Sequence, residues 1–189
     1  MIYMFLAPGF EEVEALSPLD LLRRAGLSVT TVAVTASETE LAVRGAHNIT
    51  VLADVTAADF RRVALADPTA PVEAVILPGG MPGTTNLDAS PVVEAALAMA
   101  HKQDAYLGAI CAAPLVLGKR GYLQGKRATC FPGFEKELAG ATVGGKVVRD
   151  GKVITAAGMG VAAEFGLELV AALVSPEVAG EIRSAIQSL

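Results

Sequence analysis

Tryptophan is absent, and cysteine and histidine occur only twice each in 189 residues. Two thiols cannot build a disulfide scaffold, and a reducing compartment keeps them free. With no C-x-x-C or H-x-x-x-H spacing, a structural zinc site is not expected. Basic residues are in deficit: 15 Lys and Arg stand against 20 Asp and Glu, a net charge of -5, and no basic run lies beside aromatics. Nucleic acid is therefore not an expected partner. Mean hydropathy is high at +0.49, yet Gly, Pro or a charge interrupts every apolar run well before the about 18 residues a membrane span needs. The first residues carry no basic segment, and their apolar run stops at Pro8-Gly9, unlike a signal peptide. A cytoplasmic protein is expected. No repeat or low-complexity linker interrupts the chain, so residues 1–189 are read as a single domain.

What is present is an alternation. Ile2 to Leu6 is a short apolar run closed by a Pro-Gly turn, and EEVEALSPLDLLRRAG then carries apolar residues at helical spacing up to Gly26. Pro18 falls inside that pattern and should kink or divide the helix. SVTTVAV (Ser28 to Val34) and NITVLADV (Asn48 to Val55) read as strands, with a short edge strand and turn over Glu40 to Gly45. Thr56 caps a helix over AADFRRVALA, Asp67-Pro68 and Pro71 punctuate a loop, and EAVILPGG is a buried strand ending in glycines. Ser90-Pro91 opens a helix reaching about His101. AYLGAI (Ala105 to Ile110) reads as a central strand running into Cys111 and a helical LVLGKRG; Asp150-Gly151 marks a hairpin, and two helices end the chain. Such alternation argues for a mostly parallel sheet covered on both faces, whose ligands bind beyond the carboxyl ends of the strands.

The residues just after strands therefore carry the chemistry. A free cysteine is by type most often a buried core residue. Cys111 stands instead where a strand hands over to a helix, near amides that favour a thiolate. The G-x-S-x-G elbow pattern is absent around it. The Pro78-Gly79-Gly80 turn is either a plain tight turn or a nest for an anion. Glu11 and Glu12 read as a solvated helix start. Glu14 shares helical spacing with Leu21, Leu22 and Ala25 and points inward, where one proton shared with the thiol would serve acid–base work. His47 and His101 occupy no strand-end turn and are read as non-catalytic. Cys130 is a buried filler or a thiol able to resolve an oxidised Cys111.

Taken together, APGFEEVEAL, LLRRAG, VILPGG, GAICAAP, TCFPGFEKEL and the AAGMG turn resemble the ThiJ/PfpI superfamily over nearly the whole chain, in the YajL-like branch related to the parkinsonism-associated deglycase. The resemblance implies a flavodoxin-like three-layer α/β sandwich, a nucleophile elbow at Cys111, a protonated Glu14 against its sulfur, and a homodimer without cofactor. It also implies oxyanion contacts from the amides of Gly79, Gly80 and Ala112, with Arg24 near the dimer interface and Arg44 near the pocket. Phe131 stands where some relatives have histidine, which weakens any peptidase reading, and Ala157 stands where relatives often have an anion-binding arginine, which separates this pocket from theirs. The function implied is a cysteine-dependent glyoxalase or deglycase acting on methylglyoxal, glyoxal and their early adducts. The alternatives are a redox-sensing or chaperone-like stress protein using the same cysteine, and a fold relative with an inert thiol.

Overall fold

The computed structural model describes residues 1–37, 39–67 and 69–188. Its elements follow the chain as β1 (Ile2–Leu6), α1 (Glu12–Arg24), β2 (Val29–Ala33), β3 (Ala42–Arg44), β4 (Thr50–Leu52), β5 (Val55–Thr56), α2 (Ala57–Val63), β6 (Ala74–Leu77), α3 (Gly83–Asp88), α4 (Pro91–Lys102), β7 (Tyr106–Ile110), α5 (Pro114–Lys119), β8 (Arg127–Ala128), β9 (Thr142–Val143), β10 (Val147–Asp150), β11 (Val153–Ala156), α6 (Ala162–Leu173) and α7 (Pro176–Ala185). The main sheet has the order β10-β11-β7-β6-β1-β2-β5, and every pairing in it is parallel except that of β10 with β11. This is the expected flavodoxin-like, mostly parallel sheet.

Side-chain alternation along the strands divides the core between two faces. From β1, Ile2, Met4 and Leu6 face one layer while Phe5 faces the other; from β6, Ala74 and Ile76 part from Val75 and Leu77 in the same way. The first layer is closed by α1, α6 and α7 through Leu22, Phe165, Leu169 and Ile182. The second is closed by α2, α4 and α5 through Phe60, Leu97 and Val116. From β1 the sheet grows through β2 to one edge and from β6 through β7 to the other, so the strand order reverses between β1 and β6. Loops leaving the carboxyl ends there diverge and leave a crevice.

The expected caps are formed: Thr56 Oγ1 accepts from the Asp59 amide at 3.1 Å and Ser90 Oγ from the Val93 amide at 3.4 Å. The Asp150-Gly151 hairpin closes β10 on β11, with Gly151 at φ 60°. Of the Asp67-Pro68 punctuation, Pro68 lies outside the described residues.

Three expectations are revised. Pro18 does not divide its helix: α1 runs unbroken from Glu12 to Arg24. The proline forfeits one bond, to the Glu14 carbonyl, but it is buried against α6, where a Cβ on Gly166 would stand 2.8 Å from its Cα. The run from Asn48 to Val55 is two strands, not one: β4 pairs antiparallel with β3 as a separate hairpin, and β5 joins the sheet edge beyond Ala53-Asp54. Asp54 makes the break by accepting from the Thr31 amide and hydroxyl, both at 2.8 Å, and so turning the chain into the sheet. Finally, Glu12 is buried rather than solvated.

Candidate active site

Four segments meet at the crevice. The sequence after β7 turns abruptly, and the turn holds Cys111 at φ 64°, a left-handed conformation that costs a non-glycine residue energy and is kept only by its surroundings. Those surroundings are backbone bonds: the Cys111 amide donates to the Ala156 carbonyl at the end of β11, and its own carbonyl accepts from the Phe131 amide, each at 2.8 Å. The thiol is left partly exposed, and α5 begins three residues later at Pro114.

Opposite stands Glu14, two residues into α1 and buried with Ala15, Pro18, Leu21 and Leu22. Its Oε2 accepts from the Gly79 amide at 3.1 Å; the Met159 amide and the Cys111 thiol also bond its carboxyl. Burial, with Glu11 adding negative charge, raises Glu14 from 4.5 to about 7, against the pull of those three donors. Burial also pushes the Cys111 thiol up, to about 12, helped by the charge and hydrogen bond of Glu14, while the amides of Gly80 and Ala112 pull the other way. A helix terminus alone would predict a lowered thiol; desolvation and the carboxylate outweigh it. The two groups titrate as a unit. Below about pH 7 both groups carry their protons; above it they hold one proton between them, and in the form with that proton on Glu14 the sulfur carries the charge facing two amides.

The glycines have separate tasks. Gly79 is obligatory for space, since a Cβ there would lie 2.5 Å from Glu14 Oε2 and 2.6 Å from Cys111 Cβ; its amide is engaged by Glu14 and so is not aimed at the sulfur. Gly80 adopts φ 87°, which turns its amide to Cys111. The structure thus brings together Cys111, Glu14, Gly79, Gly80 and Ala112. Arg24 is not among them: it sits in the last turn of α1, exposed and paired with Asp20 at 2.6 Å. Arg44 reaches the neighbourhood through its backbone, its carbonyl accepting from the Gly9 amide at 2.8 Å, while its side chain is exposed.

Glu12 is the residue that sequence reasoning misplaced. Its Oε1 accepts from the amides of His47 at 2.8 Å and Ile49 at 3.3 Å, and its Oε2 lies 3.0 Å from His47 Nδ1. These bonds hold its pKa down against burial and raise that of His47. They also clamp the β3–β4 hairpin to the start of α1, two residues from Glu14. Among the described residues, Glu11, Glu12 and His47 are the one grouping whose donor atoms, all within 4.8 Å of one another, suit a metal ion. Cys130 packs into the core layer under α4 and α5, whereas Cys111 borders the opposite layer. Its thiol is pushed up to about 11 by burial, and its place in that core layer is the packing position of a filler.

A family profile described as DJ-1/PfpI matches residues 1–172. The chain belongs to the DJ-1/PfpI family. Among its DJ-1 relatives, the Parkinson disease protein 7 homolog of Danio rerio is 33% identical over 185 residues, covering 96% of this chain and 93% of that protein. The glutathione-independent glyoxalase DJR-1.2 of Caenorhabditis elegans is 34% identical over 173 residues, or 88% of this chain and 84% of its own length. The crystal structure of Drosophila melanogaster DJ-1beta superposes with a TM-score of 0.87 at 31% identity, covering 100% of this chain and 97% of the other. DJ-1 membership fits the sheet order and the diverging loops at β1 and β6. No described helix is long and apolar enough to cross a membrane.

Proposed function

We propose that this DJ-1 family member is a cofactor-independent glyoxalase or deglycase whose nucleophile is Cys111 and whose acid–base group is Glu14. The observation that carries the reading is the close Cys111–Glu14 pair, which crowds one point beside Gly79 with the cysteine on a strained turn, facing the amides of Gly80 and Ala112. The glyoxalase named among the relatives supports it. In the reaction with methylglyoxal, sulfur adds to the aldehyde carbon while Glu14 delivers the shared proton, giving a neutral hemithioacetal; the two amides hold the oxygen as charge develops on it. Glu14, now a carboxylate, removes the hydrogen on that carbon and returns a proton to the adjacent one. An enediol intermediate so becomes a thioester of a 2-hydroxy acid. Water then cleaves the S–C bond, releasing lactate and the thiol, and no external oxidant or reductant is needed.

The test is lactate formation from methylglyoxal without glutathione. Cys111→Ala and Glu14→Gln are each expected to lose at least about a hundredfold in kcat/KM. Wild-type rates in Cys111→Ala would refute the mechanism.

A second reading is favoured by the partial exposure of the thiol beside a carboxyl that protonates near neutral pH. In it Cys111 is a peroxide sensor: two equivalents of peroxide oxidise the thiol to a sulfinic acid and are reduced to water, and protonated Glu14 donates to the product. Intact mass after peroxide titration decides this, since failure of Cys111 to gain two oxygens before ordinary thiols do removes it. Either reading takes the protein as a homodimer. Val13 and Leu16 on α1, and Ile49 and Leu52 on the hairpin clamped to it, are the exposed apolar side chains a second copy would cover.

A further inference from the structure

Three large apolar side chains on the segments that build the site are exposed: Met81 at 51%, Phe131 at 47% and Met159 at 53%. Each is tied by backbone to the reacting pair. Met81 follows Gly80, whose amide faces the Cys111 sulfur. The Phe131 amide donates to the Cys111 carbonyl, and the Met159 amide bonds the Glu14 carboxyl. The Phe131 ring comes within 3.3 Å of where a Cβ on Gly158 would stand, and Glu14 Oε1 lies 3.9 Å from the same point, so ring and carboxyl flank one small space. The charged neighbour acting on Glu14 is Glu11, an anion. An exposed phenyl ring beside the reacting pair, with exposed methionines on the adjoining backbone and negative charge nearby, makes a rim that attracts an apolar substituent and repels an anionic one.

We propose that Phe131, Met159 and Met81 are specificity-determining residues that select neutral compounds bearing an aryl or alkyl group next to the reacting carbonyl, over unsubstituted glyoxal and over anions such as glyoxylate. This deepens the glyoxalase reading and rests on it for the word substrate, but the rim acts on any electrophile that reaches Cys111. An apolar pocket distinguishes substrates differing by one small group by tenfold or somewhat more. A half-open rim belongs at the low end, about tenfold between phenylglyoxal and glyoxal.

Two measurements keep the proposal separate from the reading beneath it. In the first, kcat/KM for phenylglyoxal, methylglyoxal and glyoxal is compared in wild type, Phe131→Ser and Met159→Ser, both at exposed positions, with thermal melts of each variant as the check on folding. The expected order is phenylglyoxal, methylglyoxal, glyoxal, with each serine variant cutting the phenylglyoxal-to-glyoxal ratio mainly through KM; a wild-type preference for glyoxal, or a ratio unmoved in both variants, overturns the proposal. In the second, Cys111 is alkylated with phenacyl bromide, iodoacetamide and iodoacetate, sulfur displacing the halide in each case, and rates are divided by those of glutathione. Phenacyl bromide favoured about tenfold over iodoacetamide, iodoacetate disfavoured, and both biases reduced in the serine variants supports the rim even if no oxoaldehyde is turned over, the result that would end the glyoxalase reading. Normalised rates equal for all three reagents overturn the rim even if turnover is found.

Discussion

Replacing Glu14 with Gln tests the electrostatics of the site through stability alone. The carboxyl stands at 4.5 in the ordinary case and about 7 in the folded protein. The folded state therefore favours the protonated form, and the sign follows: the contribution to stability is complete below about pH 4.5 and is lost as pH rises through about 7. At about 1.4 kcal/mol per tenfold, the full loss is about 3 kcal/mol, a large share of the 5 to 15 kcal/mol typical of a domain. Glutamine keeps the shape and an acceptor for the Gly79 amide but never ionises, so Glu14→Gln lacks this slope. Urea unfolding of both proteins at matched concentration, in steps from pH 4 to pH 8, should show near-equal stability at the acid end and a variant about 3 kcal/mol more stable than wild type at the alkaline end. Titrations elsewhere, including the Glu12–His47 pair, are common to both proteins and cancel. Cys111 stays protonated across the window while Glu14 is charged, so it adds no slope of its own. A difference between the two proteins that does not change with pH would refute the assignment of a raised carboxyl to Glu14.

Two further predictions concern how the site is held. Gly79→Ala forces a methyl against both Glu14 and Cys111 and should cost about 3 kcal/mol, whereas Gly180→Ala in α7, where a Cβ meets nothing within 4 Å, should be neutral or stabilise by up to about 1 kcal/mol; thermal melts would contradict the packing if the two shifts were alike. Glu12→Ala strands the amides of His47 and Ile49 and should cost about 2 to 3 kcal/mol and increase hydrogen exchange in the β3–β4 hairpin, while His47→Ala, removing only an exposed ring, should leave both stability and exchange close to wild type.

The alternation of strands and helices was written locally, in the apolar run of AYLGAI, the caps at Thr56 and Ser90, and the Asp150-Gly151 turn. From it the parallel sheet and the crevice beyond its strands could be read, and with the crevice Cys111, Glu14 and the two glycines, because strand-end position and helical spacing are properties of neighbours in the chain. Tertiary structure alone decided the rest, since each remaining point depends on contacts between residues far apart in sequence. Pro18 continues its helix because Gly166 receives it. The strand after Asn48 breaks because Asp54 finds Thr31. Glu12 looked solvated until the hairpin bearing His47 and Ile49 folded onto it. The proton shared by Cys111 and Glu14 was likewise beyond local reading: spacing placed a carboxyl inward, but burial and the facing amides set the energy of each charge.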